Sequence, residues 1–203
     1  LIPFFAILAP SGAAHPIFPS NLINDLFFPF ITGKAFYFRI LTEIAFAGWI
    51  ILAFLDPKYR SKCTPVSITI TIFAFVVLLS DLLGVNPIRS MWSNFERMEG
   101  WVTIIHLWAL FMAMVNVFGT GESGRRMWQR YMNTHLVVAG IVAIYAFVQL
   151  LGGAQIHQGS RIDASLGNAA YLAVYMLFQT FISAYMFFVA KNKKISGSEI
   201  LVW

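Results

Sequence analysis

This chain of 203 residues is 59% apolar and 11% charged, with a net charge of +5 and a mean hydropathy of +0.72. A soluble domain of this length could not bury so much apolar surface, so the composition excludes that class and predicts an integral protein of a lipid bilayer. The positive charge is divided among short links between apolar runs, and we therefore predict no nucleic-acid partner.

Long apolar runs divide the chain into segments of membrane-spanning length. A helix needs about 20 residues to cross a hydrocarbon core of about 30 Å, and the runs lack the apolar and polar alternation of a β-barrel. The sequence predicts an all-α, polytopic transmembrane helix bundle of about six helices, a single domain over residues 1–203 and a fragment of a larger protein. The predicted spans are residues 1–10 (truncated), 36–55, 66–85, 101–118, 133–151 and 169–189, with a further span starting at 200–203.

The first 35 residues combine two kinds of segment. The apolar run 1–10 is predicted to be the end of a truncated first helix, with the core of a signal peptide as the alternative. Residues 14–35 contain Pro16, Pro19 and Pro29. Because proline interrupts helices, we expect this segment to lie along the outer membrane surface.

The cations of the links alternate in character along the chain. Every second link carries a basic triplet: Lys58/Arg60/Lys62, Arg125/Arg126/Arg130 and Lys191/Lys193/Lys194. Because cationic loops stay in the cytoplasm during insertion, these links are predicted to be cytoplasmic, and Cys63 lies in one of them. The other five cations are predicted to be on the outer side: Lys34, Arg39, Arg89, Arg97 and Arg161.

These outer cations are candidate ligands for the diphosphate of a lipid-linked substrate. Arginine presents a planar fork of donors that matches phosphate oxygens. Arg89 and Arg161 stand in separate outer links beside turn-forming residues and are the leading candidates. The alternative is that the cations extend to lipid headgroups or pair with nearby acids. The possible pairs are Arg39 with Glu43, Arg97 with Glu96 or Glu99, and Arg161 with Asp163.

Other ionisable residues give weaker predictions. His106 lies near the outer end of its span, where an ionisable group marks a functional site, but an interhelical hydrogen bond explains it equally well. Asp81 is a possible general acid or base, or only a hydrogen-bond acceptor. Lys34 is predicted to be a headgroup anchor more than a ligand. No histidine pair has metal-ligand spacing, so neither a metal nor a cofactor is predicted.

Three blocks of sequence stand in order along the chain: FFPFITGKAFYFRILTE (27–43), NPIRSMWSNFERMEGWVTIIH (86–106) and RIDASLGNAAYLAVYMLF (161–178). They resemble the O-antigen ligase and O-antigen polymerase family, the bacterial inner-membrane glycan ligases and O-oligosaccharyltransferases. The resemblance covers the N-terminal half of such a protein. Arg89 and Arg161 occupy the loops whose arginines grip the substrate diphosphate in this family.

The resemblance implies an enzyme whose active face is periplasmic. It would transfer a glycan from undecaprenyl diphosphate to a hydroxyl of lipid A core, of a polysaccharide or of a protein acceptor. The catalytic residue is unassigned, because the family's acceptor-activating base is a histidine of a later outer loop, expected beyond residue 203. The fragment alone is therefore expected to be inactive.

Two other classes of membrane protein remain open at this point. A transporter, or a flippase for lipid-linked oligosaccharides, would line a path with groups such as Arg39, Glu43, Asp81 and His106. Such a protein should place them near mid-membrane, whereas these residues lie within about two turns of the predicted outer boundary. A noncatalytic scaffold would instead direct its outer arginines apart, into headgroups.

Overall fold

The structure is a computed structural model that describes residues 29–94, 99–119, 121–154, 156 and 160–192. All regular elements of these residues are helical, which confirms the predicted all-α class. Five of the helices are long and apolar enough to span a membrane. The α-helices are α1 (Pro29–Leu55), α2 (Pro65–Leu83), α3 (Pro87–Trp92), α4 (Trp101–Phe118), α5 (Gly121–Leu150) and α6 (Ala169–Asn192). The predicted spans 1–10 and 200–203 lie outside the described residues.

The five long helices turn most of their apolar side chains outward. In the most apolar stretch of each helix, only 11–17% of the residues are buried inside the protein. Phe54 and Leu83, for example, are 82% and 85% exposed. Surfaces of this kind are stable in hydrocarbon and unfavourable in water. The protein is therefore a multi-pass membrane protein with a bilayer as its solvent.

The described chain forms two compact units. The first contains α1 to α4, and the second contains α5 and α6. The prediction of one domain over residues 1–203 stays a prediction.

Helices α1 and α4 of the first unit run parallel to each other. Arg39 of α1 contacts Thr103 of α4, and three turns further along the core places Trp49 of α1 against Met112 of α4. Because the contacts advance in the same direction on both helices, α1 and α4 cross the unit with the same orientation. One crossing in the opposite direction must connect them.

Helix α2 supplies that return crossing. The indole Nε1 of Trp101, at the start of α4, donates to the carbonyl of Ala74 at 3.0 Å. Further along α4, the indole of Trp108 donates to the hydroxyl of Thr71 at 2.9 Å. The contacts move backward along α2 as they move forward along α4, so these helices are antiparallel.

The start of α1 differs from the sequence prediction. The helix begins at Pro29 rather than at residue 36, so residues 29–35 are helical instead of lying in a broken surface segment. Proline is tolerated in the first turn of a helix, where its missing N–H would have no partner in any case. Pro29 therefore starts the helix that it was expected to interrupt.

The start of α5 also lies earlier than predicted, at Gly121 rather than at residue 133. Glu122 in the first turn suits the positive end of the helix dipole. Thirty residues make a helix of about 45 Å, which exceeds a hydrocarbon core of about 30 Å. The first turns of α5, which carry Arg125, Arg126 and Arg130, can therefore extend beyond the hydrocarbon.

In the second unit, α5 and α6 pack antiparallel. Residues 125–132 of α5 and 185–189 of α6 line the same groove. At the other end, Gln149 of α5 contacts Asp163, shortly before α6 begins. Between these ends, a core cluster joins Val138 and Val142 to Leu172. The link from α5 to α6 thus lies at the end of the unit opposite the first turns of α5.

Candidate functional site

The basic link of the first unit lies at the end where α4 stops. The indole of Trp49 donates to the carbonyl of Tyr59 at 2.8 Å, which holds the link against α1. The backbone N–H of Lys62 donates to the side-chain oxygen of Asn116, two residues before the end of α4. The exposed cations Lys58 and Arg60 belong to the same link.

The isolated cations of the first unit lie at the opposite end. Lys34 and Arg39 stand in the first half of α1, which is parallel to α4, and Arg89 stands in α3, which packs on the start of α4. The first unit therefore separates its clustered cations from its isolated ones. The alternation of cations between the links predicted this separation, and the hydrogen bonds between the helices show it for the described residues of the unit.

Arg39 is a buried guanidinium. Its side chain is 8% exposed, and its Nη2 donates to the hydroxyl of Thr103 at 3.2 Å. Arg39 lies within the span of α1, near the acids Glu43 and Glu99. Arg39 is thus held by α4 rather than extended toward lipid headgroups.

The Glu43 side chain makes its close polar contact with a different helix. Its Oε1 lies 3.0 Å from the Nε2 of His106 on α4. The i, i+4 spacing suggested a pair with Arg39, but His106 lies 63 positions away on another helix, so only the fold shows this contact. Because α1 begins early, Glu43 lies near the midpoint of the apolar stretch Thr32–Leu55, deeper than the sequence predicted.

Arg89 is exposed and is presented by the short helix α3. The side chain of Asn86 caps this helix by accepting from the backbone N–H of Arg89 at 3.3 Å, and Pro87 occupies its first turn. The signals that predicted a turn here are also those that start a helix. Helix α3 then packs so closely on Gly100 that the carbonyl groups of residues 90 and 91 leave no room for a side chain there.

Lys34 is 9% exposed in the first turns of α1, so its side chain is buried rather than extended as a headgroup anchor. Arg97, the remaining candidate near this end, lies outside the described residues, as do His15 and His157.

Arg161 belongs to the second unit and is exposed. It lies in the link from α5 to α6, at the end opposite Arg125 and Arg126. The clustered and the isolated cations are therefore separated in this unit as well. The acid considered as its partner, Asp163, is fully buried and bonds to Gln149.

Gln149 fixes the segment that follows Arg161. Its Nε2 donates to Asp163 Oδ1 at 2.9 Å, and its Oε1 accepts from the backbone N–H groups of Asp163 and Ala164 at 3.3 and 2.7 Å. Ala164 has a φ of +47°, a conformation that costs a residue with a Cβ about 1–3 kcal/mol. The three bonds hold this strained, buried turn in place.

The residues that sequence reasoning missed are polar groups paired across the fold. Thr103, Gln149 and the contact between Glu43 and His106 carry no local motif. Their partners lie 14 to 64 positions away in sequence. A lone glutamine in an apolar run was the one available signal for Gln149, since a buried amide requires partners.

The described residues contain no group of three or more His, Cys, Asp or Glu side chains that could hold a metal ion. Comparisons with protein-family models, curated proteins and solved structures give no match.

Proposed function

We propose that this chain is part of a membrane glycosyltransferase of the O-antigen ligase or polymerase type. The enzyme transfers a glycan from undecaprenyl diphosphate to a hydroxyl of lipid A core, of a polysaccharide or of a protein. The reaction takes place at the periplasmic face of the bacterial inner membrane. The proposal rests on the resemblance of three sequence blocks and on one structural observation.

That observation is the separation of cations within each unit. Arg89 and Arg161 are both exposed, and each lies at the end of its unit opposite a basic cluster. If the basic clusters are cytoplasmic, both guanidinium groups are available at the outer surface. This is where a lipid-linked glycan presents its diphosphate after translocation.

Glycan transfer from a lipid diphosphate requires positive charge near the leaving group. When the glycan leaves, negative charge develops on the bridging oxygen of the lipid diphosphate. Guanidinium groups already positioned around that charge stabilise the transition state more than the ground state. A planar fork of donors binds two phosphate oxygens at once. Arg89 and Arg161 take this role in the proposal, with Arg39, Arg97 and Lys34 as further candidates.

Substitution of the exposed arginines in the whole protein tests the proposal. We expect Arg89→Ala and Arg161→Ala each to lower glycan transfer about 10- to 100-fold, because a charge-assisted hydrogen bond contributes about 1.5–3 kcal/mol. Transfer is measured in a strain that lacks the gene and carries each variant, with the amount of membrane-inserted protein determined alongside.

Arg60→Ala and Arg126→Ala are matched controls. Both residues are exposed arginines of the same two units, and both belong to the basic clusters at the opposite ends. We expect them to retain transfer. Equal losses in all four variants, or unchanged transfer in Arg89→Ala and Arg161→Ala, would contradict the assignment.

A flippase for lipid-linked oligosaccharides is the second candidate, because the pair of Glu43 and His106 lies inside the spans of α1 and α4. Ionisable groups at that depth are typical of transport paths. Translocation of a labelled lipid-linked oligosaccharide in proteoliposomes distinguishes the two functions. Translocation that requires Glu43 and not Arg89 would favour the flippase over the transferase.

A further inference from the structure

The contact between Glu43 and His106 has a hydrogen-bond geometry that constrains its protons. The Nδ1 of His106 lies 2.6 Å from the carbonyl oxygen of Val102, one turn earlier on α4. The Nε2 of the same ring lies 3.0 Å from Glu43 Oε1. Both ring nitrogens thus face oxygen atoms at hydrogen-bond distance.

The partners decide which nitrogen carries hydrogen. A backbone carbonyl only accepts, so the Nδ1 of His106 must donate to Val102. A neutral imidazole then has a bare Nε2, which also only accepts. An ionised carboxylate likewise has no hydrogen to give. Without one more proton, Glu43 and His106 would therefore direct lone pairs at each other across 3.0 Å.

We propose that Glu43 and His106 form a proton-binding site within the membrane span of the first unit. The site takes up one proton from water and holds it between Oε1 and Nε2. The loaded pair is either an imidazolium beside a carboxylate or a neutral imidazole beside a carboxylic acid. Loading and release form no other bond, and the proton leaves to water or to a substrate group. The site does not depend on glycan transfer.

The positions of His106 and Glu43 in the span favour a bound proton. His106 is 14% exposed and is held by α4, whereas the Glu43 side chain is 67% exposed in the described structure. An isolated carboxylate at this depth of a bilayer is costly. A proton shared with His106 removes the net charge of the pair.

Charges on the neighbouring elements are compatible with a loaded pair. Arg39 precedes Glu43 by one turn on α1 and interacts with both Glu43 and Glu99. Glu99 lies just before the start of α4, so Arg39 is near acids of two different segments. The ionisable groups of the described elements that pack against α1 and α4 toward this end are Lys34, Tyr37 and Arg39 on α1, Asp81 on α2, Arg89 on α3, and Glu99 before α4.

Nuclear magnetic resonance of the wild-type protein in nanodiscs tests the proposal directly. The probe is the proton itself: ¹⁵N-labelled histidine and ¹³C-labelled glutamate report which atoms carry hydrogen at pH 7. The His106 signal is assigned by its loss in His106→Gln. We expect hydrogen on Nδ1 and one further proton on the pair, at Nε2 or on the Glu43 carboxyl. A bare Nε2 facing an ionised Glu43, or a bare Nδ1, would overturn the proposal.

A Glu43→Gln variant adds an independent readout. The amide can donate to a bare Nε2, so the bond no longer needs the extra proton. We expect His106 in this variant to carry hydrogen on Nδ1 alone at pH 7, whether the extra proton of the wild-type pair lies on Nε2 or on the Glu43 carboxyl. Glu99→Gln is the matched control, because Glu99 also interacts with Arg39 yet is not bonded to His106, and it should leave the His106 signal unchanged. His106 that retains both ring protons in Glu43→Gln would also overturn the proposal. The wild-type measurement decides the question if the variant does not fold.

Discussion

Gln149 is 3% exposed and makes three hydrogen bonds to the turn that follows Arg161. The side chain satisfies two backbone amides and one carboxylate oxygen that are all removed from water. Buried polar groups without partners cost more than their bonds contribute. The position of the exposed arginine therefore depends on the buried amide of Gln149, which bonds to Asp163 and Ala164, two and three residues after Arg161. Sequence reasoning did not select this residue.

Replacing Gln149 by Leu should destabilise the second unit. The change leaves the amides of Asp163 and Ala164 and the Asp163 carboxylate short of a partner, so we expect a loss of about 2–4 kcal/mol in the free energy of unfolding. Unfolding of the purified protein by denaturing detergent provides the measurement.

Gln179→Leu is the control for this change. Gln179 is also buried, at 7% exposed, but its amide oxygen has no hydrogen-bond partner among the described residues. Removing it should leave stability unchanged or raise it. A similar loss in both variants would show that volume, not hydrogen bonding, makes Gln149 important.

At the scale of elements, the short helix α3 sets where Arg89 lies. A helix of six residues has little stability of its own. It is held by its Asn86 cap and by close packing against the start of α4 at Gly100. The backbone of Gly100 has an ordinary φ of −76°, so the requirement for glycine there is one of space and not of conformation.

Gly100→Ala should therefore move α3 or destabilise its contact with α4. The added methyl group overlaps the backbone carbonyls of Ser90 and Met91. Backbone cannot yield as a flexible side chain does, so we expect a cost of about 1–3 kcal/mol, measured by detergent-induced unfolding. If Arg89 acts in substrate binding, transfer should fall with it.

Gly48→Ala is the matched control for this substitution. Gly48 lies within α1 of the same unit, and a Cβ there meets nothing within 4 Å. Alanine is the better helix former, so we expect no loss and a gain of up to about 1 kcal/mol. Equal behaviour of the two variants would contradict the close packing of α3 on α4.

At the scale of the whole molecule, the described part of each unit carries its clustered cations at one end and its isolated arginines at the other. Parallel α1 and α4 with antiparallel α2 establish this in the first unit, and antiparallel α5 and α6 establish it in the second. If the basic clusters are cytoplasmic, the ends with the isolated arginines face outward. That assignment is open to a direct experiment.

Cys63 reports the sidedness of the first unit. It is exposed in the basic link, so we expect no reaction with a membrane-impermeant maleimide in intact spheroplasts and full reaction after permeabilisation. In a Cys63→Ser background, Val85→Cys places an exposed thiol at the opposite end and should react in intact cells. The reverse pattern would invert the topology and remove the outer-surface argument for Arg89.

The sequence by itself determined the class of this protein and the position of most of its helices. Apolar runs of spanning length require helices in lipid, because each backbone group must be bonded within its own segment. These signals are local, and they do not fix where each helix begins and ends. Pro29 and the polar turns after Gly121 start helices that hydropathy alone placed later.

Only the tertiary structure decided which polar groups meet. Arg39 with Thr103, Glu43 with His106, and Gln149 with Asp163 are pairs formed by packing between segments, and no spacing along the chain encodes them. A buried polar side chain must find a partner, but which partner it finds depends on how the helices are arranged. The sequence predicted Arg89 and Arg161 as candidates. The fold showed the contacts at Gly100 and Gln149 that fix the segments carrying them.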